Sequence, residues 1–451
     1  MITPQTSVHR LGGPGTPGSG AAGADTPGAV RSGRGENADR EGTPPRKGWS
    51  RMSPIEPDRG TPALLVKVGR YPQHHGGLGV VRTLGRLGVP VHAVVEDRWT
   101  PVARSRYLGR AFVRPTGGTE PAERLLALLA ELGDAIGRPV VPVATDDEAA
   151  VLLAEHAGEL SRWYLLPGVE PGLPRRLASK GGLARLCAEH GVDTPRAWTP
   201  GTYRELLAVG RGHGYPLVLK NLEAFTRLRA PVVGHTTVVR GEEELRALLA
   251  DRQEPSVLVQ EYLPPEHCED WFTHLYCGPE GTEPVVFTGR KLRSWPPGAG
   301  MTSRARALPE PELAALAAGF CRRIGYRGVA DLDWRLDRRD GRYRLVDFNP
   351  RTGAQFRLFE TTTGVDVVRA LHLGMTGRRI PAGEQLARSF GVGQLDLPSA
   401  LASARRELRP PGDLLPRRST ERGWLAADDP LPALVESVRF CGTVAARLRR
   451  I

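Results

Sequence analysis

"GRYRLVDFNPRTG", residues 341–353, starts as an ordinary strand and ends as something else. Arg342-Tyr343-Arg344-Leu345-Val346 alternates polar and apolar side chains, the period of a half-buried β-strand. Asp347, Asn349 and Arg351 follow at once, with Pro350 fixing the backbone between the last two. Asn and Pro are depleted in strands, so a solvated surface strand accounts poorly for this ending. A carboxylate, an amide and a guanidinium in quick order are expected to face a ligand.

Just upstream, "ADLDWRLD" (330–337) is a second strand-like run, joined to the first through "DRRDGR". Asp337, Asp340 and Gly341 are turn residues. The two runs are expected to pair as a hairpin, bringing Asp333, Asp347 and Asn349 to one end and one face; Asp347 and Asn349, two apart, share a side of their strand. Two carboxylates and an amide oxygen form a hard-oxygen set suited to Mg²⁺, which keeps several waters and takes further ligands from substrate phosphates.

Cations add to the pattern. Of 62 basic residues only five are lysines, and three of those, Lys180, Lys220 and Lys291, fall in one segment. Where arginine is so dominant, a surviving lysine suggests a need for a compact ammonium. Lys220 ends the apolar strand "YPLVLK", and Lys180 follows Ser179, a candidate helix cap. "VLVQEYLPP" (257–265) is an apolar strand stopping at Gln260-Glu261-Tyr262-Leu263, whose backbone groups suit a flat base. "GRKLRSWPPGAGMTS" (289–303) sets Arg290, Lys291 and Arg293 before a Pro/Gly loop of the kind that closes over an anionic intermediate.

The bulk numbers narrow the classes. No run of 451 residues reaches the apolar length of a membrane span, and no apolar block of signal type opens the chain. Five scattered cysteines without a C-x-x-C pair favour reduced thiols in the cytoplasm. The net charge of +12 is spread as arginine without interleaved aromatics, which speaks against nucleic acid and leaves room for anionic small substrates.

Residues 1–60, rich in Gly and Pro, read as a disordered tail. From Ala63, "ALLVKV", "GGLGVVRTLGRLG", "VPVHAVV" and "PVVPVATDDEAAVLLAEHA" alternate strand and helix, an α/β unit with parallel strands over 61–165. Gly76, Gly77 and Gly79 read as a tight turn opening a helix, with Arg82 where a dinucleotide loop needs its last glycine; His74 and His75 read as solvated loop residues. Residues 166–377 read as α+β, and 378–451 as an extension closing on a basic amphipathic helix that covers a domain edge.

In their order, Lys180, Lys220, Glu261-Tyr262-Leu263, Arg290-Lys291, Asp333 and "VDFNPR" resemble the ATP-grasp superfamily, in particular carboxylate–amine ligases of the D-aspartate-ligase-like group. The resemblance runs from Pro167 to Gly377 and is strongest over 288–364. It implies a Rossmann-like pre-ATP-grasp domain, then two α+β lobes closing on ATP, with Mg²⁺ or Mn²⁺ as cofactor. It also implies an acyl phosphate made from a small carboxylate and captured by an amine. Carried over by position, Lys180 and Lys220 contact the nucleotide phosphates, and Glu261, Tyr262 and Leu263 hold adenine. Glu269, or Asp270 or Glu266 in its place, takes the ribose. Asp333, Asp347 and Asn349 bind the metal; Arg351, Arg293 and Lys291 steady the transferring group. A homodimer is common among such enzymes.

The chain departs from that pattern twice. "NLEAFTRLRAPVVGHTTVV" (221–239) holds only Gly234 where a glycine-rich phosphate loop is usual, so Arg227 and Arg229 would have to serve in closure; Asp347 stands where glutamate is commoner. A nucleotide-binding regulator without turnover, and a carboxylase-type enzyme with a non-amine acceptor, are therefore the alternatives.

Overall fold

The computed structural model describes residues 55–70, 75–222, 231–234, 236–249, 254–297, 300–407 and 420–448. The tail over 1–54, His74, Arg227 and Arg229 lie outside them.

The first layer is a parallel sheet of β1 (Ala63–Val66), β2 (Val91–Val95), β3 (Leu108–Val113) and β4 (Val141–Ala144), in the order β3-β2-β1-β4. All four residues of β1 are buried, as an apolar run between helical layers requires. The glycines after it differ from the expected turn: His75–Gly85 is one helix, and Gly76, Gly77 and Gly79 lie inside it. A Cβ on Gly79 would meet Arg357 Cγ at 2.8 Å and Phe356 Cε1 at 2.9 Å, so the glycine serves close packing. His75 is likewise buried against Phe390 and Trp424, and burial pushes its pKa down to about 4.

A small antiparallel sheet follows: β5 (Ala197–Trp198), β6 (Leu217–Asn221), β7 (Thr237–Val239) and β8 (Val257–Glu261), ordered β5-β8-β6-β7. The third sheet holds β9 (Cys268–Cys277), β10 (Val285–Trp295), β11 (Met301–Ala307), β12 (Gly328–Asp337), β13 (Arg342–Asn349), β14 (Ser389–Gly391) and β15 (Thr420–Arg422). Its order is β13-β12-β9-β10-β11-β14-β15. The β12–β13 turn is tied by Gly341 N–H to Asp337 O at 2.8 Å, with Gly341 at a φ of 70° that favours glycine.

One apolar cluster runs from Ala63 in β1 through Phe272, Phe356 and Phe359 to Trp424. A second, around Leu332, Trp334, Phe320 and Phe348, supports the β12–β13 hairpin from below. The closing helix, Leu431–Leu448, packs on the short helical turn Pro101–Arg104 between β2 and β3, with Arg439 paired to Asp97 at 3.1 Å. Among the described residues no helix is long and apolar enough to cross a membrane.

Candidate active site

A cleft of about 670 Å³ separates the small antiparallel sheet from the large one. Its floor is the β12–β13 ladder, where Asp333 lies directly opposite Asp347 and Asp331 opposite Asn349. Directly opposed residues share a face, so four oxygen-bearing side chains stand on one side of the hairpin. Asp333 is crowded: burial raises its carboxyl pKa, and neighbouring Asp331 and Asp347 push the same way against Lys291.

Three lysines converge on this pair of acids. Ser179 caps the helix Lys180–Glu189 by accepting from Gly182 N–H, which fixes Lys180 at the helix start, and its ammonium pairs with Asp347. Lys291, on β10, reaches over the Phe272 ring to place Nζ 2.7 Å from Asp333 Oδ1. Lys220, near the end of β6, donates to Val346 O at 3.2 Å. Burial lowers the Lys220 pKa to about 8, with Asp347 opposing and Lys180 adding to the fall.

The rim carries other expected residues. Glu261 closes β8 and pairs with Arg196 at 3.1 Å, and Leu263 O accepts from Arg335 at 3.0 Å. Glu269 accepts from Trp271 Nε1 and pairs with Arg290, both at 3.2 Å, while Asp270 is held by Arg335. Glu269 and Asp270 both line the cleft; Glu266 is exposed and does not. Arg293 lines the cleft in a two-bond clasp with Asp396, both bonds 2.8 Å.

Tyr262, Asn349 and Arg351 do not line the cleft. Asn349 donates its amide nitrogen to Asp331 O at 3.0 Å. Arg351 turns toward the parallel sheet and bridges Asp331 (3.1 Å) to Asp147 (3.3 Å), at the start of the helix after β4. His274 Nε2 lies 3.1 Å from Asp331 Oδ1 without hydrogen-bond alignment. Burial alone would raise the Asp331 pKa, yet His274, Arg351 and Lys291 together hold it below the usual carboxylate range.

Asp331, His274, Asp147 and Asp396 escaped the sequence reading. Asp331 had a signal, since it stands two residues before Asp333 and so shares its face. Asp396 had none, lying over a hundred positions from the arginine it clasps.

The donor chemistry fits a divalent ion: two facing carboxylates on the cleft floor, and an amide whose nitrogen is already engaged. Among the described residues no group of three His, Cys, Asp or Glu is placed to hold a metal. Such a sparse protein shell suits Mg²⁺, which completes its octahedron with water and phosphate, better than zinc.

Two mixed lobes face each other over a cleft of lysines and opposed carboxylates, the arrangement of the ATP-grasp fold. Residues 297–388, which contain the β12–β13 hairpin, match the family described as carbamoyl-phosphate synthase L chain, ATP binding domain. D-aspartate ligase of Enterococcus faecium (strain Aus0004) is 24% identical over 309 residues, 64% of this chain and 72% of that protein. Two solved structures share the fold. The biotin carboxylase domain of Hydrogenobacter thermophilus 2-oxoglutarate carboxylase, in complex with MgADP, ADP and bicarbonate, gives a TM-score of 0.52 at 18% identity, over 72% of this chain and 71% of that one. L-amino acid ligase from Bacillus licheniformis gives 0.53 at 16% identity, over 71% and 75%.

Proposed function

We propose that this protein is an ATP- and Mg²⁺-dependent ligase that activates a small carboxylate as an acyl phosphate and joins it to an amine. The observation that carries this reading is the Asp333–Asp347 pair, opposed across one ladder and met by the ammonium groups of Lys291 and Lys180. Residues 61–165 serve as the pre-ATP-grasp domain, 166–377 as the ATP-grasp domain and 378–451 as an extension.

The reaction needs no protein nucleophile. A carboxylate oxygen of the acid attacks the terminal phosphorus of ATP and ADP departs. The amine nitrogen then attacks the acyl carbon, phosphate leaves, and the nitrogen gives up a proton. Such transfers depend on charge neutralisation and in-line placement. Lys180 and Lys220 hold the phosphates from the small-sheet side, and Lys291 and Arg293 steady the transferring group. Leu263 and its neighbours Glu261 and Tyr262 seat adenine; Glu269 takes the ribose. Asp333, Asp347 and Asn349 would hold Mg²⁺, which would neutralise charge on the phosphate oxygens. Arg351, held by Asp147 and Asp331, enters the cleft only on release from them.

Amino acids are the favoured substrates, supported by the likeness to a D-aspartate ligase and an L-amino acid ligase. The test is ADP release from ATP and Mg²⁺ with a panel of amino acids and simple carboxylates, with hydroxylamine as amine. ADP together with hydroxamate supports the reading. Tight ATP binding with no ADP release across the panel overturns it and favours a regulatory nucleotide site.

A further inference from the structure

Arg293 reaches the cleft from an irregular stretch of β10. Lys291 pairs with Ala305 and Arg293 with Arg304, so Leu292 is an extra residue in the ladder; a second shift follows between Arg293 and Ser294. Bulges of this kind bend a strand and re-aim its side chains beside active sites. This one sets two guanidiniums directly across a ladder from each other, a like-charge pair that opposes the fold unless an anion stands between them. Asp396 is that anion. It accepts from Arg293 Nε and Nη2, both at 2.8 Å, from Arg304 Nη1 at 3.2 Å and from Ser303 Oγ at 3.4 Å.

Asp396 comes from the extension after residue 378. Val392 donates its N–H to Ser303 O at 3.0 Å, and the helix Gly393–Glu407 starts directly after it. Asp396 stands in the first turn, where the helix dipole favours an anion, and Ser399, three residues on, shares its face. Ser399 donates to Ser294 O at 2.8 Å and lines the cleft with Arg293. The helix is thus fastened to residues 293 and 294, the two that follow the bulge.

We propose that Asp396 is a positioning residue, which holds the Arg293 guanidinium at the cleft so that its charge is in place before the phosphoryl group moves. What Arg293 meets there rests on the ligase reading above. A long arginine side chain has many rotamers, and every one aimed away from the cleft is lost to the reaction. A two-bond carboxylate clasp fixes both the plane and the direction of the fork. The division of bonds supports this role over simple neutralisation: the two short bonds go to Arg293, which lines the cleft, and the single longer one to buried Arg304. One carboxylate shared by two guanidiniums also leaves the trio net positive, so the clasp aims the charge of Arg293 without cancelling it.

A double-mutant cycle in ADP release tests this on the full chain. Asp396→Asn keeps the shape and removes the charge; it should lower kcat about a hundredfold while KM for ATP stays near its wild-type value. Arg293→Met should lower kcat at least as far, and the two changes together no further than Arg293→Met alone. Asp396→Glu should recover part of the loss. Arg293→Ala should regain turnover in millimolar guanidinium, and should not once Asp396→Asn is added. Losses that multiply in the double variant overturn the proposal, as do wild-type kcat in Asp396→Asn and a guanidinium rescue indifferent to Asp396. Should Asp396→Asn not fold, because buried Arg304 also depends on it, Arg293→Ala decides alone, and absence of rescue overturns the proposal. If the wild-type protein binds ATP but releases no ADP, the ligase reading fails and the same cycle is read in the ratio of ATP to ADP affinity by calorimetry. A ratio that Asp396→Asn leaves unchanged then overturns the positioning role as well.

Discussion

Lys220 is the cation whose charge is most dependent on its surroundings. Its pKa of about 8 lies below the ordinary lysine value, so it is charged at neutral pH and loses that charge as pH rises through 8. Bound phosphates favour the ammonium, so the loss is felt by the free enzyme first. Accordingly kcat/KM for ATP should fall about tenfold per pH unit above 8, while kcat holds to higher pH. Lys220→Met should flatten that limb at a low level, and pH–rate profiles of the two proteins check it. Stability runs the other way. Between about 8 and the ordinary lysine value the unfolded chain binds this proton more tightly, so the group's contribution to stability grows with pH across that window. At the metal pair, Asp347→Asn or Asp333→Asn should cut turnover about a thousandfold with little change in melting temperature, measured as ADP release beside thermal unfolding. That Asp347, Asp333 and the three lysines meet at one cleft was legible because strand period and residue scarcity mark them, whereas Asn349 does not line that cleft. The side-chain direction of Arg351 was not legible, since it depends on Asp147, contributed by a different layer.

At the scale of elements, the hairpin β12–β13 and the bend after it set the site's geometry. Strand runs, turn residues and the Ser179 cap could be read from period and composition, because each is decided by neighbours in sequence. The helix His75–Gly85 could not: its glycines look like turn chemistry, yet they are small because Phe356 and Leu65, distant in sequence, press on the helix. Gly353, in the bend, is held small the same way. A Cβ there would collide with the His274 ring and come within 2.6 Å of Asp331 Oδ2, and neither buried group has room to retreat. Gly353→Ala should therefore destabilise by roughly 1–3 kcal/mol as an overpacked site. It should also lower turnover, because Asp331 anchors both Arg351 and, through its carbonyl, Asn349. Denaturant unfolding and steady-state rates on one preparation check both; a variant with wild-type stability would show that the bend yields.

Over the whole molecule, the extension after residue 378 is tied to the first layer by a buried ion pair. Arg82 donates to Asp429 Oδ2 (2.9 Å), Asp429 O (2.7 Å) and Trp424 O (2.8 Å). Asp429 also accepts from Ser105 Oγ and Arg106 N–H. Both partners are nearly inaccessible, 4 and 1% exposed, so removing one leaves the other charged and desolvated. Asp429→Ala should cost about 3–5 kcal/mol, the range for breaking a buried pair. Next door, Asp428 pairs with Arg86 while about two-fifths exposed, so Asp428→Ala should cost no more than about 1 kcal/mol. The contrast between adjacent aspartates is the informative measurement, because composition, charge and position are matched and only burial differs. Because the Ala63–Trp424 cluster runs continuously from the first layer to the extension, the loss at Asp429 should appear as one earlier unfolding transition. Separate melting of the extension, with the remainder at its wild-type midpoint, would mean that Arg82 anchors only a peripheral flap.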